Sequence, residues 1–466
     1  MLKRGTEITV EVEKFADRGK SIARVDGYVV FIPGGVPGDR LRVRVSKAKR
    51  KYAEAYPIEV LVPSRDRILP ECPYFGTCGG CKWQHVSYEA QLEAKRLSVQ
   101  EALEHHGGFE EIVVLPTIGS DETYGYRNKM EFSFSAERWL TTAEIESGEI
   151  FDTSFALGLH APGSFNKVVD IEECHLHPKV GNRLLNGIRD FVLENGWLPW
   201  HIRNHTGYLR HLVLRYAHAT DDLMVNLVTS GDDANRMEQL GAYLQESFPE
   251  VTTFVNTINT TVAQTAFGEE TKIIFGSGVI TERIGNQQFE IASNAFFQTN
   301  TSQAEKLFEI SAEYAELKPD DLVYDLYSGA GTISLFIADK VRHVVGIELI
   351  EEAVENARRN ARANGVDNVT FVTGDMMRIF NEELIEEYGR PDVLIVDPPR
   401  AGLHPKVVKQ IGHLRPERFV YISCNPLTQA KDLEMLKETY SIESVQPVDL
   451  FPHTYHVENV VKLRAR

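Results

Sequence analysis

Residues 321–338 read Asp321-Leu-Val-Tyr-Asp-Leu-Tyr-Ser-Gly-Ala-Gly-Thr-Ile-Ser-Leu-Phe-Ile-Ala338. An apolar run, a glycine turn and a second apolar run predict a buried strand, a sharp turn and a helix. Gly329 and Gly331 let the backbone turn tightly and approach a ligand closely. The third glycine of a dinucleotide fingerprint is absent, with Ser334 in its place, so the turn alone fits a structural corner as well as a nucleotide loop. The next strand ends decide between them. His343-Val-Val-Gly-Ile-Glu348 ends on an acid 17 residues after Gly331. A carboxylate there can accept hydrogen bonds from both hydroxyls of a ribose. Val369-Thr-Phe-Val-Thr-Gly-Asp375 ends on Asp375, where an adenine amino group could be received. Asp392-Val-Leu-Ile-Val-Asp-Pro-Pro-Arg400 is a fourth strand, whose prolines stiffen its exit and aim Asp397 into the cleft. From about residue 301 strands alternate with helices, which predicts a mostly parallel α/β sheet.

This series resembles the class I S-adenosylmethionine-dependent methyltransferases, with their Rossmann-like α/β fold. Members that methylate exocyclic amino groups carry an aromatic after the Pro-Pro; Arg400 stands there instead and argues against that chemistry. A fifth strand, Arg418-Phe-Val-Tyr-Ile-Ser-Cys-Asn-Pro426, puts Cys424 at the carboxyl end of the sheet, where open α/β sheets bind ligands. A cysteine at a strand end is usually inert packing. Here Asn425-Pro426 ends the strand at once and should open the thiol to the cleft. A thiolate there suits a poor carbon nucleophile: adding to carbon 6 of a uracil, it gives carbon 5 the electron density to attack a sulfonium methyl. The proton left on carbon 5 then needs a general base. Asp449-Leu-Phe-Pro-His-Thr-Tyr-His-Val-Glu458 leads into the last strand and offers Glu458, with His453 and His456 nearby.

The segments Asp-Pro-Pro-Arg, Ser-Cys-Asn-Pro and Phe-Pro-His-Thr-x-His-x-Glu, in this order, resemble the RNA uracil-C5 methyltransferases, and among them the 23S rRNA enzymes with an N-terminal TRAM domain. The resemblance covers nearly the whole chain. It implies S-adenosylmethionine as methyl donor, Cys424 as nucleophile and Glu458 as proton acceptor. Asn294-Ala-Phe-Phe-Gln-Thr-Asn300 is similar to the segment before the family's catalytic core, which implies that Gln298 contacts the cofactor. Tyr327, Gly329, Thr332, Glu348, Asp375 and Asp397 match further cofactor-site positions.

The other four cysteines are Cys72, Cys78, Cys81 and Cys174. Disulfides are not expected in a cytosolic chain. By spacing, four thiolates suit structural zinc or an iron–sulfur cluster equally. The family resemblance implies a [4Fe–4S] cluster. The Cys-x5-Cys-x2-Cys run is not the Cys-x3-Cys-x2-Cys of radical enzymes, so the cluster is expected to support the fold and an RNA-binding surface. Trp83, His85, Tyr126, Arg127 and Lys129 lie near it, and Tyr124–Lys129 is similar to an RNA-facing stretch of the family. Aromatics there could stack on unpaired bases and the cations could hold phosphates; ordinary packing and surface charge explain each residue equally well.

Upstream, Thr6–Val12, Gly27–Pro33, Arg40–Val45 and Tyr56–Val62 read as short strands of a small oligonucleotide-binding type of barrel. Pro63–Pro70 reads as the linker out of it, and Tyr88–His106 as a helix stopped by Gly107-Gly108. Residues 109–289 are mostly strands and hairpins, interrupted by a helix near 178–195. The net charge of -17 excludes a protein that coats nucleic acid indiscriminately, yet residues 1–62 carry a local +5, with six basic residues between Arg42 and Lys51. That patch on a β module favours an RNA contact over a merely solvated face. No leader or membrane span is read, so a cytoplasmic enzyme without membrane partners, and a monomer, is expected. The expected division is a TRAM barrel at 1–62, a central α+β iron–sulfur domain at 63–289 and a methyltransferase domain at 290–466. The substrate expected by resemblance is 23S rRNA. The alternatives are tRNA with the same chemistry, an iron–sulfur redox or radical enzyme, and an iron–sulfur RNA-binding factor without methyl transfer.

Overall fold

A computed structural model describes residues 2–466. The chain begins with a closed barrel of β1 (Glu7–Phe15), β2 (Lys20–Val25), β3 (Tyr28–Pro33), β4 (Arg40–Ala48) and β5 (Tyr52–Val62), in the order β1-β2-β3-β5-β4. Alternation turns Val10, Val12, Leu41, Val43 and Val45 inward and leaves Arg40, Arg42 and Arg44 outside. The sequence does not announce β2, because its inward residues are Ser21 and Ala23, too small or polar to register as an apolar stripe. The basic run lies on the outer face of β4, where Arg42 meets Glu59 at 2.7 Å and Arg44 meets Glu7 at 2.6 Å. Cross-strand acids thus offset part of its charge. The segment after the barrel is tied down: buried Asp39 accepts from the Ser64 N–H at 2.9 Å and from Arg67 Nε at 3.0 Å.

The helix Tyr88–Gly107 follows, closed by Gly108 in the left-handed region at φ 64°. It packs on the helix Pro426–Leu436, and its Val99, Ala102 and Leu103 join the core beneath the C-terminal sheet. The central sheet has eight strands: β6 (Lys129–Ser135), β7 (Arg138–Trp139), β8 (Ala156–His160), β9 (Val168–Asp170), β10 (Leu209–Tyr216), β11 (Leu223–Thr229), β12 (Thr253–Ile258) and β13 (Glu270–Phe275). The helices Lys179–Glu194 and Ala234–Ser247 share its core through Leu184, Ile188, Leu240 and Leu244. The hairpin of β14 (Val279–Ile284) and β15 (Gln287–Ala292) is a separate sheet that packs on the helices Thr301–Ala315 and Glu351–Ala363.

The C-terminal sheet holds β16 (Leu322–Leu326), β17 (His343–Glu348), β18 (Val369–Thr373), β19 (Val393–Val396), β20 (Arg418–Ser423), β21 (Tyr440–Val448) and β22 (Glu458–Ala465). Its order is β18-β17-β16-β19-β20-β22-β21. The first five are parallel; β22 inserts antiparallel between β20 and β21. The parallel strands are apolar on both faces because each face carries a core. The chain steps from β16 to β17 and β18 on one side and to β19 and β20 on the other, which opens a crevice at the carboxyl ends. No helix among the described residues is long and apolar enough to cross a membrane.

One buried ion pair joins the long helix to the far end of the chain. Lys95 Nζ lies 2.5 Å from Asp449 Oδ1, and both side chains are 0% exposed. Asp449 also accepts from Tyr88 Oη at 3.0 Å and from the Phe451 N–H at 2.9 Å. Lys95→Met leaves that carboxylate buried without its cation, and urea unfolding is expected to show a loss of about 3–5 kcal/mol. A loss below about 1 kcal/mol would mean that water already reaches the pair.

Candidate active site

Sterics fix the first strand end. Gly331 sits at φ +78°, and a Cβ there would stand 2.6 Å from the Phe371 ring, so the turn admits only glycine. Tyr327, at φ +66°, and Ser328 both donate their N–H to the Ile347 carbonyl, at 2.9 and 3.0 Å. This locks the end of β16 to that of β17. Glu348 accepts from the Gly329 N–H at 3.1 Å and the Ile350 N–H at 2.9 Å, so its carboxylate is held beside the glycine turn. Ser334, in place of the third glycine, donates to Asp325 at 2.6 Å. Burial pushes the Asp325 carboxyl up to about 7, and the charge of Glu348 adds to it. Burial likewise pushes Tyr327 up to about 12, with Asp375 and Glu348 contributing. Thr332 opens the helix Thr332–Ile337.

Asp375 caps the helix Met376–Ile379 through the Met377 N–H at 3.0 Å and stands 3.6 Å from Arg378. One of its oxygens therefore serves its own backbone. Gln298 lies half-buried in the segment before the helix Thr301–Ala315, and its carbonyl accepts from Asn128 Nδ2 at 2.8 Å. Asn294 Nδ2 donates to Glu352 Oε1 at 2.9 Å, which hooks this segment to the helix that follows Glu348. Tyr327, Gly329, Thr332, Glu348 and Asp375 thus follow the carboxyl ends of β16, β17 and β18, and the segment of Gln298 is tied to the helix after Glu348.

The candidate reactive groups stand on the β19, β20 and β22 side of the crevice. Cys424 follows β20, Asp397 follows β19, and Glu458 begins β22. Ser423 pairs with Asn459 across antiparallel β20 and β22, which sets Cys424 opposite Glu458. Glu458 is 5% exposed. Burial, then the charge of Asp397, holds its carboxyl well above the usual range, while Arg400 pulls it down. Burial pushes the Cys424 thiol up to about 11; Glu458 and Asp397 add to this and Arg400 opposes it. Asp397 is raised to about 7 by burial and by Asp325. Arg400 is held in place: Asn425 Nδ2 and Thr428 Oγ1 donate to its carbonyl at 2.9 and 3.3 Å, and its Nη2 lies 3.3 Å from His456 Nδ1. Sequence reading used Arg400 to exclude amino-group chemistry and as part of the Asp-Pro-Pro-Arg segment, and gave it no role of its own. Its position directly after the Pro-Pro corner was the signal that it faces the same cleft as Asp397.

The remaining cysteines lie together, and among the described residues no group of three or more His, Cys, Asp or Glu side chains stands in ligating geometry. Their chemistry still fits a thiolate-bound group. Cys78 is raised to about 11 and Cys81 to about 12, by burial and then by the charges of the neighbouring thiols, including Cys174. Thiolates so crowded need a cation to ionise. The loop is anchored nearby, with the Gly79 N–H donating to His160 at 3.0 Å, Cys72 to Gln84 at 3.2 Å and Cys174 to Asn182 at 2.9 Å.

Comparison with known proteins fits these strand ends. The model of the tRNA (uracil-5-)-methyltransferase family matches residues 245–466, and that of the TRAM domain residues 2–58. An uncharacterized RNA methyltransferase of Chlorobaculum tepidum is 44% identical over 98% of this chain and 96% of its own. The chain belongs to the RNA uracil-5-methyltransferase family. A second uncharacterized RNA methyltransferase, of Bacteroides thetaiotaomicron, is 41% identical over 97% of this chain and 100% of its own. Among solved structures, the Pyrococcus abyssi tRNA (uracil-54, C5)-methyltransferase in complex with S-adenosyl-L-homocysteine superposes with a TM-score of 0.75 at 29% identity, over 98% of this chain and all of that one. As a TRAM-bearing RNA uracil-5-methyltransferase, the chain has its barrel and its α/β sheet accounted for by family.

Desolvation and the charge of Asp325 push the carboxyl of half-buried Asp397 up to about 7, against 3.8 for the free group. A raised carboxyl stabilises the fold while protonated, so its contribution is complete below about pH 4 and is lost as pH rises through about 7. Asp397→Asn, which cannot ionise, is expected to raise Tm at pH 8 and leave it unchanged at pH 4. Equal shifts at both pH values would show that the carboxyl is solvated in the fold.

Proposed function

We propose that this RNA methyltransferase transfers the methyl group of S-adenosylmethionine to carbon 5 of a uridine in 23S rRNA, through a covalent bond between Cys424 and carbon 6. The observation that carries the reading is the cluster of Cys424, Asp397, Arg400 and Glu458, gathered from three neighbouring strand ends beside the glycine turn. Gln298, Tyr327, Gly329, Thr332, Glu348, Asp375 and Asp397 are proposed to hold the cofactor. Glu348 is already oriented by two N–H donors and keeps lone pairs for ribose hydroxyls.

The steps follow from the groups present. Cys424 gives its proton to water and its sulfur bonds to carbon 6, and the electrons of the carbon 5–carbon 6 double bond move into an enolate. Arg400 is the cation beside the sulfur that favours the thiolate. Carbon 5 then takes the methyl from the sulfonium, which leaves as S-adenosylhomocysteine. Glu458 removes the carbon 5 proton, the double bond re-forms, and the thiolate departs. Glu458 must be ionised to do so, and the neighbouring guanidinium is the group that lowers its carboxyl. The uridine has to leave its stack to reach Cys424, so an unpaired or flipped base is the form bound.

The proposed domains are a barrel at 1–62, a central domain at 63–289 and a catalytic domain at 290–466. Cys72, Cys78, Cys81 and Cys174 would hold a [4Fe–4S] cluster, which would tie the loop of the first three to the turn before the helix Lys179–Glu194. The basic outer face of β4 is proposed to contact RNA phosphates. A second reading, tRNA as substrate, is favoured by the full-length likeness to the Pyrococcus abyssi enzyme.

With radiolabelled S-adenosylmethionine and RNA from a strain lacking the gene, label is expected in 5-methyluridine of 23S rRNA; label in tRNA alone would select the second reading. Cys424→Ser is expected to lower the rate by roughly a thousandfold or more, and a normal rate would exclude the covalent route. Analysis of protein purified without oxygen is expected to find iron and sulfide that Cys81→Ser loses; bound zinc instead would exclude the cluster.

A further inference from the structure

The connection between β21 and β22, residues 449–457, is largely buried, which is unusual for a loop. A buried backbone must find a partner for each polar group. Here the partners come from outside the sheet. The Asp449 carbonyl accepts from Gln303 Nε2 at 2.9 Å, and that of Leu450 from Asn300 Nδ2 at 3.2 Å. The Phe451 carbonyl accepts from Lys95 Nζ at 3.1 Å, and that of Pro452 from Tyr126 Oη at 3.2 Å. The His453 carbonyl accepts from the N–H groups of Lys82 and Trp83, at 2.9 and 3.0 Å.

At His453 the chain takes φ +65°, a left-handed conformation that a side-chain-bearing residue keeps only when its surroundings impose it. Gln91 imposes it. Its Oε1 accepts from the His453 N–H at 2.8 Å, while its Nε2 donates to the Trp83 and Val86 carbonyls at 3.1 and 2.9 Å. Gln91 is fully buried. The ring of Tyr124 stacks on that of His453 at 4.3 Å. Three residues on, His456 meets Arg400, and two further on stands Glu458.

We infer that the helix Tyr88–Gly107 positions the proposed base, with Gln91 and Lys95 fixing the course of residues 449–457 and thereby the placing of Glu458 against Cys424. This rests on the reading of Glu458 as the proton acceptor. The strand ladder already fixes the backbone of Glu458, through its pairing with Val448. What the loop adds is the flank of the site, from His453 to Arg400. Gln91 and Lys95 touch neither uridine nor cofactor in this scheme; they are positioning residues, and the step they control is loss of the carbon 5 proton.

The test uses the full-length chain with Gln91→Leu, neutral and of similar volume, and RNA from a strain lacking the gene. Formation and breakdown of the SDS-stable methylated enzyme–RNA adduct are timed separately, with Glu458→Gln alongside. Gln91→Leu is expected to form the adduct at near the native rate and to release it roughly 10–100-fold more slowly, so that adduct accumulates. Equal slowing of both steps, or no accumulation, overturns the inference and leaves Gln91 a merely structural residue. If Glu458→Gln releases the adduct at the native rate, the base reading itself fails and the inference falls with it. Should Gln91→Leu not fold, Gln91→Asn, which keeps the amide but shortens its reach to the His453 N–H, is read in the same way.

Discussion

The buried pair of Lys95 and Asp449 is the constraint on which the site depends. Two charges removed from water contribute little net stability, because desolvation offsets most of their attraction. They contribute specification instead. Lys95 lies on a helix that precedes the central sheet, and Asp449 at the exit of β21, so the pair permits one docking of that helix on the catalytic sheet. The barrel joins the same junction: Phe15 packs on Trp83 at 4.7 Å, and a side chain on Gly19 would meet Tyr455 at 3.1 Å. Residues 449–457 are thus walled by the barrel, the cysteine loop and the helix before their far end reaches the active site.

The proposed active site shows why the course of that loop matters. A thiol and two carboxyls sit close together with one guanidinium among them. In water they would ionise independently; in the crevice burial raises all three, and the charge of Asp397 raises both Glu458 and Cys424 further. The resting site is therefore biased toward its protonated forms. Arg400 opposes this for both Cys424 and Glu458. A small displacement of Arg400 would change the ionisation of both residues at once, and the contact of His456 with Arg400 ties its place to the buried loop.

Much of the C-terminal sheet was legible in the sequence because its strand ends are marked by residue types that stand out against the apolar strands before them. The Gly-x-Gly turn, the acid after His343–Ile347 and the Asp-Pro-Pro-Arg corner all fall where the chain turns into the crevice. The strand β2 was not legible, since Ser21 and Ala23 leave no apolar stripe. Asp375 was read as free to meet a ligand, and no local pattern showed that one of its oxygens caps the following helix. Gln91 and Lys95 were illegible for a more general reason. On a helix with four Glu and a second Gln they look like solvated residues, and the groups that bury them lie some 350 positions away in sequence. Local propensity carries no signal of such a pairing.

The central claim is a covalent bond between Cys424 and the target uridine. Incubating the protein and S-adenosylmethionine with RNA in which 5-fluorouracil replaces uracil blocks the last step, because carbon 5 then carries fluorine in place of a removable proton. Digesting the trapped complex and sequencing the nucleotide-bearing peptide by mass spectrometry is expected to place the nucleotide on Cys424. A nucleotide on any other residue, or no trapped complex with RNA that is methylated when it contains uracil, would contradict the account.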